Sequence, residues 1–469
     1  MRQACSAAAA SVAGSQMNAW IRRGSARRGD EGAREWLARR DGCDALSYPA
    51  ALGNQWLARS PRLPRPGDPS HRKAMIACLR WVLLLLSCAG AATAAPPPAD
   101  AARAWAAFDR AGIKASHASG LADRKTGRSV TADDAARIAS VSKLAVALGV
   151  MRLVEAGRLD LDEDVSVRLG WRLRHPGFPD QPVTLRALLS HTAGIRDGID
   201  YALPLDADLE SEMRRPEAWD VAHGPAAGFY TYSNLNFPVI AAVMEAATGK
   251  RFDVLMKEEV FAPLGIDACF NWTTCSDDAV ARGVVLYDGE GQALRDDNGG
   301  VRPACGAIPA RDGSCDVATY RLGRQGAFFS PQGGMRISVK GLARIGQLLL
   351  GAVPDYLPAA RIAEMMQPQW RYDGRNGDIE NGYPCAFGLG VMILALPDQP
   401  APCRDDPFGD GRTRVGHSGE AYGLRSGLWV DPQGGEGVSF FVTALAPDTP
   451  RGRTAFTLAE EEMIARARR

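Results

Sequence analysis

In Arg137-Ile138-Ala139-Ser140-Val141-Ser142-Lys143 a serine and a lysine stand three residues apart at the head of an apolar run. Val141, Leu144, Ala145, Leu148, Met151 and Leu153 then recur at helical spacing, and Gly157 can close the helix. That spacing puts Ser140 at the start of a helix and Lys143 one turn along the same face. A helix N-terminus favours negative charge on a serine oxygen or its acyl adduct. Lysine can lose its proton when desolvated, whereas arginine cannot serve as a base. By itself the tetrad fits equally well an N-capping serine with a solvated lysine.

Composition sharpens the choice. Only seven of the 55 basic residues are lysine: Lys73, Lys114, Lys125, Lys143, Lys250, Lys257 and Lys340. A lysine at this position in an arginine-dominated chain is what nucleophile activation would need. The 469 residues carry 46% hydrophobic and 23% charged side chains, which excludes a disordered, collagen-like or multi-span membrane protein. A net charge of +1 gives no reason to expect nucleic acid. That sum hides an asymmetry. Residues 1–74 hold 13 basic and 6 acidic side chains, and the remainder 42 and 48.

The first 95 residues read as leader rather than domain. Arginine pairs, an alanine run and a Pro/Arg stretch up to residue 74 follow neither strand nor helix period, as in upstream or disordered sequence. Met75 opens a signal-like segment, with Arg80 as its positive region and Trp81 to Leu86 as its apolar start. Ala92-Thr93-Ala94 is the cleavage signal, and Pro96-Pro97-Pro98 follows. The segment is too short to span a bilayer. Leu85-Leu86-Ser87-Cys88 is a partial lipobox, disfavoured by the bulk of Leu86. The expected location is periplasmic or secreted, with residues 96–469 as the working unit. Six cysteines lie in that unit as sequence neighbours, without a C-x-x-C pattern. Of the 15 pairings six cysteines permit, the neighbouring one is favoured: Cys269–Cys275, Cys305–Cys315 and Cys385–Cys403. Six buried free thiols are the alternative.

Ala99 to Arg110 reads as a helix, as do the segments from Thr184, from Phe237 to Thr248, from Val339 to Leu350 and from Ala455 to Arg469. Arg425 to Val430 and Gly437 to Leu445 read as strands around the turn Asp431-Pro432-Gln433-Gly434-Gly435. Helices through the middle with strands toward an end predict an α+β fold. Two further clusters carry chemistry. In Tyr232-Ser233-Asn234 a tyrosine can relay a proton if a neighbouring cation lowers its pKa, and an asparagine can hold a substrate carbonyl and the lysine. In His417-Ser418-Gly419 the glycine lets a strand lie close to substrate. The backbone N–H of the next residue, Glu420, can then complete an oxyanion hole with that of Ser140. An aromatic turn and a glycine-rich hairpin are the plainer readings of these two clusters.

The order S-x-x-K, Y-x-N, H-x-G resembles the serine β-lactamase and penicillin-binding-protein superfamily. The flanking text, including Thr184 to Gly194 and Gly333-Gly334-Met335, resembles its class C-like branch, which also contains esterases and D-aminopeptidases. The resemblance implies an antiparallel β-sheet flanked by helices, with an inserted mainly helical subdomain. It implies Ser140 as acylated nucleophile, Lys143 and Tyr232 as the proton-transfer pair, and Asn234 and His417 as substrate-positioning groups, to which the strand-edge reading adds Gly419 and Glu420 as substrate-binding. Two departures stand out. His417 occupies the place of a lysine that holds substrate carboxylates, which argues against efficient β-lactam hydrolysis. Only Ile113 to Ser119 precedes Gly120-Leu121-Ala122-Asp123, so the expected sheet lacks one N-terminal strand or has it partly replaced by Ala99 to Arg110.

The function expected is an exported serine hydrolase acting on an ester, a D-amino-acid peptide or a β-lactam-like amide. The alternative is a non-catalytic cell-wall or peptide-binding member of the same fold. The expected partners are small-molecule esters, peptides or cell-wall fragments. Nucleic acid, a stable membrane span and a cofactor are not expected, and a monomer is. No G-x-S-x-G elbow, H-E-x-x-H motif or P-loop occurs.

Overall fold

The computed structural model describes residues 97–469. The readings made for residues 1–74, the signal-like segment and Cys88 lie outside the described residues.

Its strands are β1 (Arg103–Asp109), β2 (Ile113–Ser119), β3 (Ala136–Arg137), β4 (Cys269–Phe270), β5 (Met335–Ile337), β6 (Trp370–Arg371), β7 (Ala386–Phe387), β8 (Met392–Leu394), β9 (Arg414–Ala421), β10 (Leu424–Asp431) and β11 (Glu436–Val442). Eight of them form one antiparallel sheet in the order β6-β7-β8-β9-β10-β11-β1-β2. A small sheet, β3-β5-β4, lies beside it. Two further hairpins pair Leu121–Asp123 with Arg128–Ser129 and Leu286–Tyr287 with Ala293–Arg295. The helices that frame the site and the core are α1 (Ser142–Glu155), the short α2 (Leu185–Leu189, capped by Thr184), α3 (Asn236–Thr248), α4 (Val339–Leu349), α5 (Ala359–Met366) and α6 (Leu458–Ala467).

Both faces of the large sheet are covered, and the side-chain alternation shows it. Leu428 and Val430 of β10 and Phe441 of β11 join the main core with α1, α3 and α4. Trp429, Phe440 and Val442 point the other way, onto Met463 and Ile464 of α6. Helix α1 is buried on nearly every side, as an all-round apolar helix must be. The fold is the expected α+β arrangement, with helices inserted between β3 and β5.

The sheet corrects one expectation. Ala99 to Arg110 is not a helix, and no N-terminal strand is missing. Arg103–Asp109 is strand β1, paired with β11 on one side and β2 on the other. Alanine is the best intrinsic helix former, but propensity is a weak prior that tertiary context overrides, and period-2 burial decides this segment. Ala104, Ala106 and Phe108 face the core in alternation. Asp109 closes the turn to β2 by accepting from the Ala111 and Gly112 amides. The three disulfides join the neighbouring cysteines as expected. Cys385–Cys403 encloses β7 and β8, the two strands next to the β6 edge of the sheet.

Phe108 is the wedge between sheet and α4. A Cβ added to Gly346 of α4 would fall 2.2 Å from Phe108 Cζ, so only glycine admits the ring. Gly346→Ala is expected to lower unfolding free energy by about 1–3 kcal/mol through overpacking. Adding Phe108→Leu should restore part of the loss. Urea denaturation of the single and double variants measures both, and equal midpoints for wild type and Gly346→Ala would contradict the wedge.

Candidate active site

Ser140 sits on a 3-10 turn, Ala139–Val141, that leads directly into α1. The regular helix begins two residues later than the sequence spacing suggested. Ala139 has φ +46°, a left-handed conformation that costs an L-residue free energy and that the surroundings must hold in place. They do so from three sides. Ile138 donates its amide to the Met335 carbonyl at 3.1 Å and accepts from Ser426 Oγ at 2.8 Å. Ser142 Oγ donates to the Ala139 carbonyl at 2.6 Å and accepts from the Met335 amide at 3.1 Å. The nucleophile segment is thereby pinned to β5 and β10 on either side.

Lys143 is fully buried. Its Nζ lies 2.9 Å from Ser140 Oγ, 2.8 Å from Asn234 Oδ1 and 2.8 Å from the Gln332 carbonyl. Burial lowers its pKa to about 7, against which the negative charge of Asp197 pulls upward. A neutral amine has two N–H groups and one lone pair. Asn234 Oδ1 and the Gln332 carbonyl can only accept, so they take the two N–H groups. The lone pair is then left for the Ser140 hydroxyl.

The Tyr232-Ser233-Asn234 turn owes its shape to Asp197, which the sequence reading missed. Asp197 Oδ2 accepts from the Asn234 amide at 3.0 Å and Asn234 Nδ2 at 2.8 Å. Its Oδ1 accepts from Ser233 Oγ at 2.8 Å and the Leu235 amide at 3.0 Å. The Asn234 side chain is fixed with its oxygen toward Lys143. His191, with φ +58°, supports the same turn from below. Its Nδ1 accepts from the Ser233 amide at 3.0 Å, and its ring stacks on Tyr232 at 4.5 Å. The only sequence signals were an acid between Gly194 and Gly198 and a histidine in the turn after α2.

Tyr232 does not meet the condition set for it. Burial drives its phenol pKa far upward, and its interaction with Ser140 only partly opposes this. Lys143 Nζ does lie 5.0 Å from the ring centroid. The amine, however, is itself the group that loses charge. Tyr232 is therefore a neutral phenol, a proton donor beside Ser140.

Strand β9 closes the opposite side. Its pairing with β8 ends at Gly416, so among the described residues His417 to Ala421 has no strand partner on that edge. A Cβ on Gly419 would lie 2.4 Å from the Ile138 carbonyl and 3.2 Å from the Ser140 nitrogen, so glycine is what lets β9 approach the nucleophile. His417 is fully buried and neutral. Burial first, then the Lys143 charge, hold its pKa down at about 3. Its Nδ1 donates to the Ser418 carbonyl at 2.6 Å, leaving Nε2 as an unpartnered acceptor among the described residues. The Glu420 side chain does not join the site. It lies on the other sheet face, exposed, and pairs with Arg425. Only its backbone belongs to the β9 edge. Ser140, Lys143, Tyr232, Asn234, His417 and Gly419 converge, and Asp197, His191 and the Gln332 carbonyl join them.

Known proteins resemble this chain in sequence and in fold. A sequence model of the Beta-lactamase family matches residues 99–461. Esterase EstB of Burkholderia gladioli is 31% identical over 303 residues, 61% of this chain and 72% of that protein. A D-aminopeptidase of Brucella anthropi is 29% identical over 156 residues, 32% of this chain and 29% of its own length. The class C beta lactamase from Rhodobacter sphaeroides superposes with a TM-score of 0.55 at 17% identity, covering 85% of this chain and 100% of that one. The D-amino acid amidase from Ochrobactrum anthropi gives 0.54 at 21% identity, covering 78% and 92%. With a match spanning the nucleophile segment, the inserted helices and the C-terminal strands, the chain belongs to the Beta-lactamase family of serine hydrolases.

Proposed function

We propose that this protein hydrolyses an ester or D-amino-acid amide through an acyl-enzyme on Ser140. The observation that carries the reading is the Lys143 amine, buried, held near neutrality and 2.9 Å from Ser140 Oγ. Lys143 takes the Ser140 proton as Oγ attacks the substrate carbonyl. The N–H groups of Ser140 and Glu420 receive the oxyanion. The neutral Tyr232 phenol gives its proton to the departing oxygen or nitrogen and regains one from Lys143. Water then attacks the acyl group, using the same amine as base, and Ser140 leaves with a proton. The similarity to esterase EstB and to a D-aminopeptidase supports this substrate range. The neutral His417 offers no cation for a carboxylate at the scissile bond, which weighs against β-lactams.

Residues 75–95 are the export signal in this reading, and residues 96–469 the exported enzyme. Support comes from three disulfides within the latter, since such bonds persist in oxidising compartments. No helix among the described residues is long and apolar enough to cross a membrane.

Incubation with a fluorophosphonate should add one adduct to the intact mass, and Ser140→Ala should remove it. A folded wild-type protein that forms no adduct with fluorophosphonates or labelled penicillin would overturn the reading in favour of a binding protein. With p-nitrophenyl esters, kcat/KM should rise with pH through a limb near pH 7, because the deprotonated amine is the active form. Lys143→Arg should cost about 10²–10⁴-fold in turnover. Lys143→Met should do the same while raising Tm, since it removes a desolvated amine. Asp197→Asn should lower kcat about 10–100-fold with unchanged circular dichroism, by releasing Asn234 and the turn that presents Tyr232. Wild-type kcat in that variant would remove Asp197 from the site.

A further inference from the structure

Arg137 lies three residues before Ser140, and its side chain is 5% exposed. Its Nε and Nη1 have no hydrogen-bond partner among the described residues. An unpaired buried guanidinium is costly, and the neighbours raise the cost. Strand β3 pairs with β5 so that Arg137 stands directly opposite Arg336. Like charges opposite one another on adjacent strands repel. The buried carboxylate at hand, Asp296, is taken up by Arg336, at 2.6 Å from Nη2 and 3.2 Å from Nε, and by Trp272 Nε1 at 3.0 Å. Burial, then the Arg336 charge, push the Arg137 pKa down to about 10, which still leaves it charged at neutral pH. Arg295 adds a third positive charge to the group.

Tyr422 marks where this surplus charge meets solvent. It occupies the turn between β9 and β10 with φ +52° and is 39% exposed. Arg137 Cζ lies 5.1 Å from its ring centroid and Arg295 Cζ 5.4 Å. Both guanidiniums therefore border one exposed ring, two residues past Glu420. Guanidinium forks match the planar geometry of a carboxylate.

We propose that Arg137 and Arg295, beside Tyr422, form an anion subsite of the active-site cleft that holds a substrate carboxylate lying outside the scissile bond. This deepens the serine-hydrolase reading and rests on it: the scissile carbonyl lies at Ser140, and the anionic end of the same molecule reaches the arginines. Free energy lost in burying Arg137 unpaired is recovered when such a ligand arrives.

Binding tests the subsite without turnover. The Ser140→Ala protein should bind monomethyl glutarate more tightly than the uncharged methyl valerate, by about ten-fold or more in calorimetry at low salt. High salt should shrink that preference. Arg295→Gln, at the rim, and Arg137→Gln, in the interior, should each reduce it about ten-fold. Equal binding of the two compounds, or a preference that survives in folded Arg295→Gln, overturns the subsite. In wild type the kcat/KM ratio for matched anionic and neutral p-nitrophenyl esters should follow the same pattern. Selective binding with no ester turnover would leave the subsite standing and bring down the hydrolase reading instead.

Discussion

Lys143 Nζ is enclosed by the oxygens of Ser140, Asn234 and Gln332 with no exposure to solvent, and its pKa falls to about 7. At about 1.4 kcal/mol for each tenfold change in proton affinity, holding the amine there costs on the order of 4–5 kcal/mol of folding free energy at pH 7. The sign follows from proton binding. Between about pH 7 and the ordinary lysine value of 10.5, the unfolded chain binds a proton that the native site rejects. This contribution therefore makes stability fall as pH drops through that window and level off below it. The remaining fold has to supply this free energy, and the same burial is what suits the amine to act as a base in the proposed reaction.

The supply comes from dense anchoring on every side of the site. Ile138, Ser142 and Ser426 fix the nucleophile segment to two strands from different parts of the chain. Asp197 collects four hydrogen bonds from residues 233–235 and so orients the oxygen that Lys143 needs. The strained Ala139 is tolerated because these contacts over-determine it. Loosening the contacts that orient Ser140 and Asn234 is expected to admit water to Nζ and return the amine toward its ordinary pKa.

The sequence revealed what is local and concealed what is not. Ser140 and Lys143 were legible because one helical turn brings them together. Strands β10 and β11 were legible from their turn residues, and the disulfides from adjacency in sequence. β1 was misread because its alanines suit helix propensity, while the sheet that claims them is built by β11, more than three hundred residues later. Asp197 was invisible for a related reason. A loop acid becomes special only when tertiary structure turns it toward Asn234. For His417 the residue type was readable but not its protonation, because burial against Lys143, Tyr232 and Phe387 sets its charge.

That protonation state governs the electrostatics of the reaction centre. A permanent cation at position 417 would stand beside Lys143, and a substrate carboxylate there would balance it. With His417 neutral, the charge that acts on the Lys143 amine is that of Asp197, and its oxygens are occupied by four donors. The centre thus presents dipoles, namely N–H groups at the helix start and at the β9 edge, rather than ions. Dipoles fixed in a water-poor site stabilise an oxyanion as it forms without binding a ground-state anion in advance. In the proposed reaction such a centre would favour an uncharged scissile group, and it would leave the recognition of charge to more distant residues that do not disturb the pKa of Lys143.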